Sequence, residues 1–399
     1  MKKIYVFALV VIFSLINFAS FAQVKKGKSF NMTVEIERSV YEGMKERGQL
    51  NSRVNYRIFD QNNSSNARGP YVPGNDHVFA GTCGTLPPLT YTNVTYGGQL
   101  EVDDATEGPI AIPFTFCFYG TNYNALYINS NGNITFGAGS TTFSSTGFPT
   151  SPQQMIAPFW ADFDNGGGNG VGRVSIGPDY FVMTWDSIGY FNEQGDKRNT
   201  CTVIITDGLS TILPAGNNVG FFYDNMDWTT GGASGGTNGF GGTAATVGVN
   251  KGDGVNFIQI GRFDTSGTAF ISNTALNNGV DWLDNKSFFF NLCTSGNNIA
   301  PVSVNYTSCD TVKLCGFSDT LLLENYFASP ETDQVTTVTV SAPSLGTNIS
   351  TFQYDPGAST HIINQIITTP ALAGYHTLTY TATDNGTPAQ TTNVSITLF

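Results

Sequence analysis

Apolar and polar residues trade places at every second position along most of this chain, and Gly, Asn, Asp and Pro interrupt the pattern at short intervals. A period of two marks strands with one face buried. Pro113-Phe114-Thr115-Phe116-Cys117-Phe118 sends its phenylalanines to one face and Thr115 and Cys117 to the other. The same reading predicts strands near residues 172–177, 180–185, 246–249, 257–261 and 286–291. Residues 200–205 and 219–223 read as a hairpin closed by a Gly/Pro/Asn-rich loop, with Cys201 opposite Phe222. Leu126, Ile128, Ile134 and Phe136 flank Asn129-Ser130-Asn131-Gly132, so two strands are expected to join at an Asn-Gly turn. Near the end, residues 335–340, 376–383 and 392–398 alternate again.

The first part of the chain reads differently. Met32 to Arg53 mixes Val, Ile, Tyr, Met and Leu with Glu, Lys and Arg, and is expected to hold a short helix within an N-terminal spacer over residues 23–82. Two roles stay open for it: a spacer or pro-segment, or a basic arm docking on an acidic surface. Before it, Lys2 and Lys3 precede the apolar run Ile4 to Phe13, and Ser20-Phe21-Ala22 offers small residues ahead of Gln23. That order is a secretory signal of bacterial type, residues 1–22, with an apolar core short for a bilayer span. No later stretch is apolar for long enough to cross, so none is expected after signal cleavage.

Charged residues make up only 12% of the 399, aromatics 13%, and there are 45 glycines. This suits β-sandwiches whose surfaces are solvated by Thr, Asn and Ser. The net charge of −12 is unevenly spread. Residues 1–68 hold 11 of the 18 Lys/Arg, which leaves 7 basic and 25 acidic groups beyond them. A nucleic-acid groove needs the opposite sign, and nucleic-acid binding is excluded.

Six cysteines fit an oxidising destination. Cys309 and Cys315 enclose five residues and bridge most readily. Cys83 and Cys293 lie near the ends of the middle unit, where a bridge would tie its termini, and Cys117 and Cys201 then remain as the third pair. Other connectivities stay open. No C-x-x-C spacing occurs, which argues against zinc.

An ordered series runs through the middle of the chain: Phe118-Tyr119-Gly120, Tyr127-Ile128-Asn129 with Asn131-Gly132, Ala157-Pro158-Phe159-Trp160-Ala161-Asp162, Thr184-Trp185 with Gly189-Tyr190, Asn199-Thr200, and the Phe221 hairpin. It resembles the nidogen-like (NIDO) extracellular domain. The resemblance covers roughly half the chain and implies a non-catalytic β-sandwich over residues 83–294 with a role in cell–matrix adhesion. Gly374-Tyr375 through Tyr380, Ala382, Asp384, Gly386 and Pro388 resembles the immunoglobulin-like and cadherin-like repeats of large bacterial surface proteins, and implies a second sandwich over residues 297–399.

Candidate chemistry is sparse. Asp162 and Asp164 flank Phe163 beside the glycine loop at residues 166–170, and could set hard oxygen ligands on one Ca²⁺ ion. The competing reading makes Asp162 a turn cap and Asp164 a solvated loop residue. Asp384 resembles a calcium-ligating position of cadherin repeats, although Asn297-Asn298 supplies no acidic partner. Apart from calcium no cofactor is expected. Asp224, Asp227 and Trp228 invite a glycosidase reading, with paired carboxylates beside an aromatic sugar platform, against the competing reading of ordinary turn residues at strand ends. If exposed, Trp228 and Tyr190 could bind glycan without cleaving it; the competing reading makes them core or cross-strand packing. The glycine run at residues 231–242 lacks the Lys-Ser/Thr of a phosphate loop and reads as a mobile surface loop. Residues 83–294 contain no histidine, since His77, His361 and His376 all fall outside, so neither a Ser nor a Cys triad can be assembled there.

The expectation is an all-β secreted or outer-surface protein in which a nidogen-like β-sandwich precedes an immunoglobulin-like one. It would be non-catalytic and would attach to extracellular matrix, glycan or cell-surface protein. The rival expectation is a carbohydrate-binding or carbohydrate-active secreted protein.

Overall fold

The computed structural model of the protein describes residues 32–37, 54–59, 89–293, 298–306, 308, 310–312, 320–331, 334–354 and 359–399. The signal segment, most of the spacer, Cys83, Cys309, Cys315 and His77 lie outside the described residues. Two compact units result, Met1–Asn66 and Ala67–Phe399. In the first, Met32–Glu37 and Val54–Phe59 pair as parallel strands in register. The helix expected from Met32 onward is therefore a strand over its first turn and a half. Met32, Val34 and Ile36 alternate with Thr33, Glu35 and Glu37, and that period outweighs the helix-forming charges.

The second unit is built of strands and short 3-10 turns. One seven-stranded sheet runs Ser287–Phe290, Val219–Met226, Gln194–Thr206, Tyr180–Tyr190, Val171–Ile176 and Thr92–Asn93, with Phe163–Asp164 added to Tyr180–Tyr190. A second runs Asn278–Gly279, Phe257–Thr265, Ala245–Asn250, Met155–Trp160, Asn133–Thr135, Thr121–Asn129 and Thr106–Phe118. Their inner faces meet in one core. Phe116, Leu126, Ile128, Val247 and Ile258 come from one sheet and Phe181, Met183, Trp185, Val203 and Phe221 from the other. Alternation shows directly in Tyr180–Tyr190. Phe181, Met183 and Trp185 face inward, while Val182 packs outside against Ile204, Phe222, Ile212 and Leu213. The outer face is thus also covered, so this strand reads as nearly continuous apolar sequence.

Two four-stranded sheets follow: Val302–Ser303, Thr320–Ala328, Ser359–Ile367 and Ile349–Tyr354, then Thr311–Val312, Thr391–Leu398, His376–Thr383 and Thr337–Ser341. Leu323, Phe327, Ile362, Tyr380 and Ile396 close a second core between them. The two sandwiches are in contact. Ile299, Val302 and Tyr326 join the first core, the Phe257 amide donates to the Pro330 carbonyl (2.9 Å), and the Ile299 amide donates to Glu331 (2.9 Å).

Two expectations need correction. The bridge is Cys117–Cys293, with Cα atoms 5.0 Å apart, so neither Cys83–Cys293 nor Cys117–Cys201 forms. Thr106–Phe118 and Ser287–Phe290 are edge strands of opposite sheets, and the disulfide closes the sandwich where those edges meet. Asn218 staples the same corner, donating to the Cys117 carbonyl (2.7 Å) and accepting from the Leu292 amide (2.8 Å). Cys201 is a free thiol pointing into the core from an interior strand. It also lies opposite Tyr223 rather than Phe222: the pairing runs unbroken from Ile205 opposite Val219 to Cys201 opposite Tyr223, so the loop end of the hairpin sets this register and the bulge comes only beyond it, between Cys201 and Asn199.

Candidate functional site

The site begins at the Asn-Gly hairpin. Gly132 has φ of 70°, and a Cβ there would collide with the Phe159 carbonyl oxygen, so only glycine fits. The asparagines of this turn are fully buried and act as substitutes for backbone partners. Asn129 donates to Asn133 (2.7 Å), accepts from the Ser140 amide (2.8 Å), and its carbonyl receives the Trp185 indole N–H (3.1 Å). Asn131 accepts from the Phe163 amide (3.0 Å) and donates to Asp104 (2.7 Å). The hairpin tip therefore reaches two distant segments at once.

Those segments are tied to each other as well. Asn165 accepts from the Val102 amide (2.8 Å) and donates to the Leu100 carbonyl (2.7 Å). Asp103 and Asp164 form an isolated β-bridge, and the Ala105 amide donates to Ser130 Oγ (2.8 Å). Held in this way, Asp103, Asp104 and Asp162 each bring a carboxylate oxygen within 4.8 Å of the others. Asp162 is 2% exposed, and neither of its carboxylate oxygens has a hydrogen-bond partner. Burial first, and then the charges of Asp103, Asp104 and Asp164, push its pKa up to about 7. Asp103 rises to about 6 through burial and the Asp104 and Asp164 charges. Asp104 is raised by burial, against the opposing hydrogen bond from Asn131. On its remaining side, the glycine-rich segment comes close enough that a Cβ on Gly231 would sit 2.7 Å from Asp162 Oδ2.

Of the residues singled out from sequence, Asp162 is in this cluster and Asp164 is not. The two oxygens of Asp164 accept from the Gly166 amide (2.8 Å) and the Glu193 amide (2.8 Å), so it is the turn-capping residue. Asp103 and Asp104 were missed. Their sequence signal was an adjacent acidic pair before a strand, which has no meaning until the fold places it beside Asp162. Asp384 is buried elsewhere, and its Oδ1 accepts from the Gly386 amide (3.0 Å), the Gln390 amide (2.9 Å) and Asn298 (3.1 Å). The aromatic platforms are not on the surface. Trp228 is fully buried against Phe159, Phe163 and Tyr190, with its indole N–H on the Ile188 carbonyl (3.0 Å), and Tyr190 is 5% exposed. Residues 231–242 are hydrogen-bonded rather than free: the Thr229 amide donates to the Gly239 carbonyl (2.8 Å) and the Thr243 amide to the Ser234 carbonyl (2.9 Å). His376 meets Ser344 and the Leu372 carbonyl, and His361 stacks on Tyr326, both in the last two sheets.

A cleft of about 1180 Å³ lies between the loop at residues 208–217 and the segments around residues 299–308 and 390–394. Its walls carry hydroxyl, amide and apolar groups, among them Leu209, Asn217, Tyr306 and Gln390, and among the described residues that line it there is no Asp, Glu, His or Cys. Leu209 is 87% exposed at its rim.

Over 189 residues this chain is 30% identical to mouse alpha-tectorin, which covers 40% of the chain but 8% of that relative. It is 28% identical to Dendrite extension defective protein 1 of Caenorhabditis elegans over 174 residues, 38% of the chain and 14% of the relative. The chain thus spans only a small part of the length of these relatives. A solved structure described as a nucleoside hydrolase-related protein from Saccharophagus degradans overlaps 27% of this chain and 28% of its own at 15% identity and a TM-score of 0.16, too low to bear on fold or activity. The NIDO-related family matches residues 77–291. That match takes in more than half of the chain, including every strand of both seven-stranded sheets, and the chain belongs to the NIDO-related family.

Proposed function

We propose that the protein is a secreted, non-catalytic adhesion module of extracellular-matrix type. In this reading residues 1–22 direct export, and the NIDO-related sandwich carries the attachment surface. An immunoglobulin-like or cadherin-like sandwich over residues 297–399 serves as its neighbour in a bacterial surface protein. The observation that carries the reading is the family match over residues 77–291. The wide cleft adds to it: its hydroxyl, amide and apolar walls suit holding a polypeptide by shape and hydrogen bonds. The burial of Trp228 and Tyr190 takes away the aromatic surface on which a sugar-binding reading rested. A matrix or cell-surface protein is therefore the favoured partner over a glycan.

The test is binding of the purified full chain to arrayed matrix proteins and, separately, to a glycan array. Saturable binding to a protein, weakened by Leu209→Glu at the exposed rim of the cleft, is the expected outcome. Binding confined to glycans, or turnover of a polysaccharide, would refute it.

A further inference from the structure

We propose that Asp103, Asp104 and Asp162 form a Ca²⁺ site that ties the segment before strand Thr106–Phe118 to the segment after strand Met155–Trp160. Their carboxylate oxygens lie within 4.8 Å of one another. Ligands on one Ca²⁺ at about 2.4 Å can stand no more than about 4.8 Å apart, so a single ion can satisfy all three groups with little movement. Proximity alone would be weak evidence, because acidic clusters are common on surfaces. The second observation is Asp162 itself. It is 98% removed from solvent by its 2% exposure, both oxygens lack a partner, and it is aimed into the cluster. A buried carboxylate without hydrogen bonds or a counter-charge is strongly unfavourable, and a bound cation would relieve it. Among the described residues no Lys or Arg pairs with any of the three.

The surroundings have the rigidity a metal site needs. Asn131 holds Asp104 through Oδ1 and leaves Oδ2 free, while Asn165 and the Asp103–Asp164 bridge fix the approaching loop. Asp164, though nearby, has both oxygens committed to backbone amides and contributes field rather than a ligand. Three carboxylates with no phosphate to share the ion suit Ca²⁺, which accepts irregular all-oxygen coordination, better than Mg²⁺, which retains its waters and demands an octahedron.

The experiment uses the full chain, stripped with EDTA and dialysed, with added Ca²⁺, Mg²⁺ or Tb³⁺ as the probes. Trp228 packs on Phe163, the neighbour of Asp162, with ring centroids 5.0 Å apart, so bound Tb³⁺ should luminesce on indole excitation and be displaced by Ca²⁺. Calcium should raise the melting temperature of the wild type. Asp162→Asn should weaken Ca²⁺ at least about tenfold and abolish the thermal response, because it removes one of three ligand charges. In EDTA the same variant should melt no lower than wild type, since it also removes a repelled buried charge. Asp103→Asn, at the exposed edge of the cluster, should weaken Ca²⁺ likewise and serves if Asp162→Asn does not fold. No calorimetric heat and no thermal shift with Ca²⁺, tighter binding of Mg²⁺, or a Ca²⁺ response unchanged in these variants would each overturn the site.

Discussion

Asn199 offers the sharpest test of how the fold is held together. It is fully buried on strand Gln194–Thr206. Its Oδ1 accepts from the amides of Asp227 (2.7 Å) and Trp228 (3.2 Å), and its Nδ2 donates to the Trp228 carbonyl (2.9 Å). One side chain thus satisfies three backbone groups just where strand Val219–Met226 ends and Trp228 enters the core. Asn199→Ala leaves all three without a partner. At about 1–3 kcal/mol for each buried group left unsatisfied, and with the Asp227 amide nearer solvent, the expected loss is about 3–6 kcal/mol. For a sandwich of this size that lowers the melting temperature by on the order of 10 °C. The control is Asn217→Ala, which removes one bond to the Pro214 carbonyl (3.0 Å) in a partly exposed loop and should cost about 0.5–1 kcal/mol. Guanidinium unfolding followed by tryptophan fluorescence measures both. Asn199→Asp should not rescue, since a carboxylate cannot donate to the Trp228 carbonyl. A loss below about 1 kcal/mol for Asn199→Ala, or one no larger than the control, would show that the backbone finds other partners and that the argument is wrong.

Three further outcomes follow from the same structure. Non-reducing peptide mapping should recover Cys117 linked to Cys293, and Cys117→Ser should cost about 2–5 kcal/mol because 176 residues separate the pair; a Cys83–Cys293 peptide would contradict the fold. Burial pushes the Cys201 thiol well up, so its peptide should stay unlabelled by maleimide in the native protein and label fully in denaturant. Asp284 accepts from the Met226 amide (2.9 Å), yet burial, with Asp281, Asp227 and Asp224 adding to it, raises its pKa to about 7. A raised acid favours the folded state below its unfolded pKa near 4, and that contribution is lost as pH climbs through about 7. Asp284→Asn keeps the acceptor and should raise the melting temperature at pH 8 while leaving it nearly unchanged at pH 4; equal effects at both would refute the assignment.

The alternation of Phe114, Phe116 and Phe118, and of Phe181, Met183 and Trp185, was enough to call for strands with one face inward, because the side-chain period is a property of the local backbone. Asn131-Gly132 marked its turn for the same reason: positive φ is a local demand. Asp162 was legible as a candidate, but its partners were not. Asp103 and Asp104 reach it only through the hairpin tip, the Asn165 clasp and the bridge to Asp164, all of them contacts between segments far apart in the chain. The same holds for Cys117 and Cys293, which meet because the edges of two sheets meet, and for Trp228, whose aromatic face became core rather than surface once Phe159 and Phe163 closed over it. Local rules set which face a residue occupies; only the closing of the sandwich decides what lies opposite, since that depends on the summed packing of strands no short window contains.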